Sequence, residues 1–213
     1  MTELYLVRHA QTEYNRLGIV QGQGIDASIN DHGRDQARLL ARRLAEVDLD
    51  ALYASTLTRS VQTARAIAER HSRSLPIREE AGLDEISWGV LEGEGPSPEI
   101  QKRMCAIKKA WRNGDYDRRL EGGESAEEVR RRGSITVRRI AERHEGGTVI
   151  AVVHGRFLRI VLSDLLGFET ARMHEMDHSN TGVNHLVVEE GTFTDRRLNC
   201  VRHLEEADLV SAE

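Results

Sequence analysis

The stretch "TVIAVVH", Thr148 to His154, constrains the fold more than any other part of this sequence. It is an unbroken, β-branched apolar run that ends on a histidine. Such a strand has no polar side to show to water, so both of its faces must be covered. That places it in the middle of a mainly parallel sheet. "ELYLV" (Glu3 to Val7) and "ALYAS" (Ala51 to Ser55) are the strands to set beside it. Helical periods lie between them. Ala37, Leu40, Ala41 and Leu44 fall at i, i+3, i+4 and i+7 behind a capping Asn30, and Val61, Ala64 and Ala68 share a second face. Strands alternating with amphipathic helices predict the α/β class, with a mostly parallel sheet and helices on both faces.

The remaining elements fit around that frame. "SLPIRE" suits an edge strand because Pro76 lacks an amide hydrogen. Residues 10–29 are expected to be loop. Gly89 to Glu124 is rich in Gly, Pro and charge, with a helix expected near Ile100 to Trp111, and reads as a cap outside the main sheet. Ser125 and Glu128 have the spacing of a capping box, opening a helix that buries Val129, Val137 and Ile140, with Gly133 weakening its interior. "FLRIVLSDLLG" is apolar nearly all round and stops at Gly167. "NHLVVE" and "FTDRRLN" pair as a hairpin about Gly191. No linker or repeat divides the 213 residues, so one domain over 1–213 is expected, with a cap-like excursion at about 89–124.

Composition excludes several classes. A net charge of −5 argues against general nucleic-acid affinity. No apolar run approaches the roughly 20 residues needed to cross a bilayer, and no secretory leader pattern opens the chain. Cys105 and Cys200 make neither a disulfide framework nor a metal spacing, so a reducing cytoplasm is expected. Whether the chain forms a homodimer is left open.

Polar residues gather where three strands end. Arg8 and His9 follow the first, Ser55 to Arg59 the second, His154 and Gly155 the third. Ligands in open α/β sheets bind outside the carboxyl ends of strands. A pocket with two arginines, two histidines and little acid suits a phosphate dianion. Arg59 stands in a helix N-terminal turn, a poor place for a cation unless it has an anion to meet. Taken singly, His9, Arg8, Asn15, Glu85 and Glu92 would be ordinary loop or surface residues. The run Arg130 to Arg132 reads as a solvated helix face, and His32, His71 and His144 as exposed helix flanks. His174 and His178, spaced i, i+4, offer zinc as a rival chemistry, yet the H-E-x-x-H pattern is not completed. The segment "DHSNTGVNHL" is expected to line the pocket rim.

The segments "RHAQTEYN", "STLTRSVQTA", "LDEISWGVLEG", "GGESAEEV" and "VVHG" occur in the order and approximate spacing of the histidine phosphatase superfamily. Within it the chain resembles the phosphoglycerate-mutase-like branch, from Leu4 to about Leu204. The resemblance implies a three-layer α/β/α sandwich and phosphohistidine chemistry without metal or cofactor. It implies that His9 is the nucleophile and that Arg8 and Arg59 hold phosphate. His154 would touch the transferring group from the opposite side, and Asn15 would complete the oxygen shell. Gln21 and Gly22 would add a side-chain or backbone contact, and Gly155 belongs to the same binding set. Glu85 matches the general acid, with Glu92 as runner-up.

Ala10 replaces the more usual glycine after the nucleophile. Arg156 stands where small residues are common, either as a charge for a second anionic group of the substrate or as a solvated first-turn residue. Glycolytic mutases of the family carry a longer insert than Gly93 to Gly122. The expected activity is therefore hydrolysis of small phosphomonoesters: sugar phosphates, phosphoglycerate derivatives or phosphoserine. A phosphoglycerate mutase and a non-catalytic module that binds phosphorylated ligands are the alternatives.

Overall fold

The computed structural model describes residues 1–205. Six strands form one sheet: β1 (Thr2–Arg8), β2 (Ala51–Ala54), β3 (Ile77–Glu79), β4 (Thr148–Val153), β5 (Val183–Glu189) and β6 (Thr192–Cys200). Their order is β3-β2-β4-β1-β5-β6. The first three neighbour pairs are parallel and the last two antiparallel. The apolar run thus sits centrally as β4, between β2 and β1, and Val149 to Val153 are wholly buried. β3 follows Pro76 and lies at the edge.

The helices are α1 (Glu13–Leu17), α2 (Asp31–Leu44), α3 (Thr58–Ala68), α4 (Pro98–Arg112), α5 (Ala126–Arg143), α6 (Gly155–Leu165) and α7 (Arg202–Glu205). Strand alternation sorts the core into two layers. Leu4, Leu6, Val149, Ala151 and Val153 pack with α5 and α6. Val7, Ile150 and Val152 pack on the other face with Leu40 and Leu44 of α2 and Ala64 and Ile67 of α3. This is the three-layer α/β/α arrangement expected, with a mostly parallel sheet. The β5–β6 hairpin turns at Glu190 (φ 48°) and Gly191 (φ 78°), two left-handed residues as a type I′ turn requires.

Three expectations need correction. Residues 10–29 are not all loop, because α1 forms there on a capping box between Thr12 and Asn15. Its five residues are too few for a periodic signal, and its box carries Asn where Glu or Gln is usual. Gly133 does more than weaken α5. A Cβ there would lie 2.5 Å from Val161 Cγ2 and 2.7 Å from Phe157 Cε2, so glycine lets α5 and α6 approach. His32, His71 and His144 are half-buried rather than exposed. His144 Nε2 lies 3.0 Å from both the Tyr53 hydroxyl and Arg78 Nη1.

The 89–124 segment holds α4 and turns. Ser97 caps α4 and Pro98 occupies its first turn. Ile107 and Trp111 enter the α5/α6 core layer, and Trp111 stacks on Trp88 and His174. This segment therefore docks through its aromatic side beside the strand ends.

Candidate active site

Main-chain hydrogen bonds carry the sheet ladder past the strand ends and align them. His9 N donates to Val153 O at 2.9 Å and Ser55 N to Val152 O at 3.1 Å. His9, Ser55 and His154 therefore stand side by side on adjacent parallel strands, at the carboxyl edge where such sheets bind ligands. A cavity of about 730 Å³ opens there. Its walls include Arg8, His9, Asn15, Gln21, Arg59, Glu85 and Gly155.

His9 is 3% exposed. Its Nδ1 lies 2.7 Å from Ala10 O, and a carbonyl only accepts, so Nδ1 carries the proton and Nε2 is left bare. Burial, then the guanidinium groups of Arg59 and Arg8, push its pKa well below the ordinary histidine value. The imidazole is thus neutral, with one nitrogen lone pair available. Asn180 holds the loop by donating from Nδ2 to His9 O at 2.9 Å and to Asn15 Oδ1 at 3.3 Å. Asn15 Oδ1 also accepts from Thr12 N. With its oxygen so engaged, the amide NH₂ of Asn15 is what faces outward for a ligand.

Arg8 is 7% exposed and donates from Nη1 to His178 O at 2.6 Å. The helix α6 begins against it: a Cβ on Gly155 would lie 3.1 Å from Arg8 Nε. Arg59 is 1% exposed. It donates from Nη1 to Ile25 O, from Nη2 to Gly22 O and from Nε to His154 Nδ1. Three of its five N–H groups are used in this way, and the others remain for an anion. Gly22 accepts from Arg59 through its carbonyl and stands behind that side chain. A Cβ on it would lie 2.2 Å from Glu92 Oε1 and 2.6 Å from Ile86 O. Gln21 does line the cavity. Its Oε1 accepts from the Thr12 hydroxyl, and its buried Nε2 has no protein partner.

His154 lies one layer deeper than His9. It is wholly buried and stands behind the cavity wall. Its Nδ1 accepts from Arg59, so its proton is on Nε2, which meets Ser55 Oγ at 2.7 Å and Ser60 Oγ at 3.3 Å. Its ring lies 5.1 Å from that of His9. Burial first, then Arg59, push its pKa well below the usual value, so it too is neutral. The serines' part in fixing this ring has no signal in sequence spacing.

Glu85 is 7% exposed and faces the first turn of α6. His154, the N-cap residue, makes no side-chain cap bond. Glu85 supplies the cap from another segment. Its Oε1 accepts from Phe157 N at 2.8 Å and from its neighbour Ile86 N at 3.0 Å, and its Oε2 accepts from Arg156 N at 3.0 Å. Arg132 fixes the loop carrying it, donating to the carbonyls of Gly82, Asp84 and Glu85 while pairing with Glu124. Of the Arg130 to Arg132 run, only Arg131 keeps to the solvated face expected, its side chain 71% exposed. Arg130 is likewise paired, with Glu127 and Asp164. Glu92, the runner-up acid, accepts from Trp88 N at 2.8 Å and packs against Gly22, away from the cavity.

The outer walls contain residues that sequence reasoning left without a role, Gln11, Tyr14, Trp88, Met104 and Arg159, together with His178 and Asn180 of the segment expected at the rim. Arg156 joins them, its guanidinium 5.9 Å from the centre of the Trp88 ring. His174 and His178 are not on one helix. A 3₁₀ segment, Thr170–Glu175, ends before His178, so the i, i+4 geometry of a zinc pair does not arise. No group of three His, Cys, Asp or Glu side chains among the described residues is arranged to hold a metal ion.

Known proteins share this frame. A family model described as the histidine phosphatase superfamily (branch 1) matches residues 4–201. "Phosphoserine phosphatase 1" of Hydrogenobacter thermophilus is 31% identical over 206 residues, covering 97% of this chain and 96% of its own. The solved structure of Bacillus stearothermophilus YhfR superposes with a TM-score of 0.85 at 29% identity, covering 96% of this chain and all of that one. Phosphoserine phosphatase from Entamoeba histolytica, solved in complex with 3-phosphoglyceric acid, gives a TM-score of 0.83 at 26% identity, covering 96% of this chain and 100% of that one.

Proposed function

The chain belongs to the histidine phosphatase superfamily, and from that premise we propose that it is a phosphomonoesterase that hydrolyses small phosphorylated metabolites through a phosphohistidine. The observation that carries the reading is the tautomer of His9: Nδ1–H is tied to Ala10 O, leaving Nε2 bare in a cavity lined by Arg8 and Arg59. A module that only bound phosphate would need the guanidinium groups but no such nucleophile. The phosphatase name of the Hydrogenobacter relative favours hydrolysis over a mutase, as does the short segment between Gly93 and Gly122.

In this mechanism Nε2 of His9 attacks phosphorus. The N–P bond forms as the P–O bond to the leaving group breaks. Arg8, Arg59, Asn15 and Gln21 hold the equatorial oxygens and the charge that develops on them. Glu85 gives its proton to the leaving oxygen. The resulting carboxylate takes a proton from water, which attacks phosphorus and frees His9. His154 steadies Arg59 and flanks the His9 ring, while Gly22 holds Arg59 from behind and Gly155 lets α6 start close to Arg8. No step calls on a metal or cofactor.

The same reading takes residues 1–213 as one domain, with 89–124 as its cap; residues 206–213 lie outside the described residues. It also places the protein in the cytoplasm, which suits the free thiols of Cys105 and Cys200. No helix among the described residues is long and apolar enough to cross a membrane. The test is rapid quenching during turnover of a ³²P-labelled phosphomonoester. An acid-labile adduct on His9, lost together with turnover in His9→Ala, is expected. Turnover without such an adduct refutes the mechanism, and phosphoglycerate isomerisation without phosphate release refutes the hydrolase.

A further inference from the structure

Residues 179–182 form a tight turn whose backbone runs against residue preference. Gly182 N donates to Ser179 O at 2.9 Å, which makes Thr181 the third residue of a four-residue turn. Its φ is 56°. A left-handed φ at this position ordinarily falls to Gly or Asn, and a β-branched side chain is an outlier there. Such departures persist only where the surrounding structure over-determines them, and they cluster at functional sites. The β5–β6 hairpin clamps the turn from one side: Asn199 Oδ1 accepts from Ser179 N at 2.8 Å, and a Cβ on Gly182 would lie 2.2 Å from that oxygen. On the other side Thr181 N donates to Arg8 O at 3.0 Å, which fastens the turn to the end of β1.

The hydroxyl of Thr181 gives the reason for a threonine here. It lies 2.7 Å from Asn180 O and 3.0 Å from His203 Nε2, and Asn180, Thr181 and His203 are all buried. A carbonyl only accepts, so the hydroxyl donates to Asn180 O and accepts from His203, whose proton is then on Nε2. The other side of the ring agrees independently. Nδ1 lies 3.2 Å from Arg43 Nη1, and a guanidinium only donates. Burial, then the Arg43 charge, lower the His203 pKa to about 4, so the ring is neutral. Arg43 is itself anchored on Cys200 O at 3.0 Å. Every donor thus points one way, from Arg43 of α2 through His203 of α7 and Thr181 to Asn180. Asn180 Nδ2 passes the hold on, to His9 O at 2.9 Å and Asn15 Oδ1 at 3.3 Å. A row of hydrogen bonds that starts on α2 ends on the loop that carries the nucleophile.

We propose that Thr181 and His203 are positioning residues for the reaction: their hydrogen-bonded row fixes Asn180 and so holds the His9 main chain where Nδ1–H stays on Ala10 O and Nε2 stays bare toward phosphorus. Neither residue lines the cavity, so neither touches the substrate. Their part is to keep one imidazole tautomer and one ring placement, where an error of about 1 Å can cost about a hundredfold in rate. The inference rests on the phosphatase reading for its kinetic consequence, but the tautomer of His9 is measurable without turnover.

Substitutions at Thr181 separate positioning from packing. Thr181→Val keeps the shape and removes the hydroxyl. Thr181→Gly removes the hydroxyl but suits the left-handed backbone, so the turn is preserved. Thr181→Ser keeps the hydroxyl. The valine and glycine variants should each lose about tenfold or more in kcat with little change in KM, and the serine variant should recover most of the rate. ¹⁵N NMR of histidine-labelled protein reads the cause. In the wild type His9 and His203 should each show a single neutral tautomer, protonated on Nδ1 and on Nε2 respectively. In the valine and glycine variants the His9 signals should move toward a mixture of tautomers. If the wild type shows no turnover while the His9 tautomer still depends on the hydroxyl, the phosphatase reading falls and the positioning stands. A glycine variant with wild-type kcat, or with His9 still held in the Nδ1–H form, overturns the positioning.

Discussion

Replacing Glu85 with glutamine separates its capping of α6 from the general-acid role proposed for it. In the structure Oε1 accepts from Phe157 N and Ile86 N, and Oε2 accepts from Arg156 N. Glutamine keeps one oxygen, which can serve the first two donors. Its NH₂ then faces the Arg156 amide, donor against donor, in a site only 7% exposed. One unsatisfied buried N–H costs about 1–3 kcal/mol. For a chain of this size that lowers Tm by roughly 2–12 °C. The catalytic loss is distinct, because glutamine has no proton to give. Removing a general acid lowers the rate by about 10²–10⁴-fold, or roughly 3–5 kcal/mol in the barrier. That loss should appear for an alkyl ester such as glycerol 3-phosphate, whose alkoxide must be protonated as it leaves. It should be less than about tenfold for p-nitrophenyl phosphate, whose phenolate leaves without help. The assay is kcat for both esters below the melting transition, with Tm measured alongside. Equal losses on the two esters would refute the acid role and leave Glu85 as a helix cap alone.

Three further expectations follow from the same geometry. In Gly133→Ala the gain of about 1 kcal/mol in helix propensity should be outweighed by overpacking of about 1–3 kcal/mol against Val161 and Phe157; a urea midpoint that rises would contradict the close approach. Arg132→Met should lower kcat without a matching rise in KM, because the Glu85 loop loses its carbonyl anchor, and an unchanged kcat would show that the loop holds itself. His9, His154 and His178 are neutral in the fold with depressed pKa values, whereas unfolded imidazoles titrate near 6.5. Below pH 6.5 the unfolded chain therefore binds more protons, so stability is full above that value and falls as pH drops. The three groups together should cost roughly 4 kcal/mol between pH 7.5 and 5.5, read from urea unfolding at each pH, and a flat profile would mean that these rings are protonated in the fold.

The parts of this fold visible in the sequence are those governed by local pattern. β4 declared itself because a strand covered on both faces needs apolar residues at every position. The capping box of Ser125 and Glu128 needed only a spacing, and both of its hydrogen bonds are formed. Arg8, His9, Arg59 and Glu85 were legible as members of motifs, and they meet in one cavity. What escaped depends on contacts across the chain. Arg132 looked solvated because nothing in its helix reveals that residues 82–85 pass over it. His178 sits outside the 3₁₀ segment, and the burial of its nitrogens without partners is not announced by its spacing from His174. Arg59 and two serines engage the ring nitrogens of His154, contacts that its motif does not reveal. That Glu92 packs against Gly22 could not be read from either segment alone.

The cavity is assembled from segments spread from Arg8 to Asn180, each delivered by a different strand end or crossover. None of these pieces owns the site. A nascent chain released before β5 would lack Asn180 and His178, and with them the brace on the His9 loop and the acceptor for Arg8. The cationic setting of the His9 imidazole is therefore complete only when almost the whole polypeptide is in place.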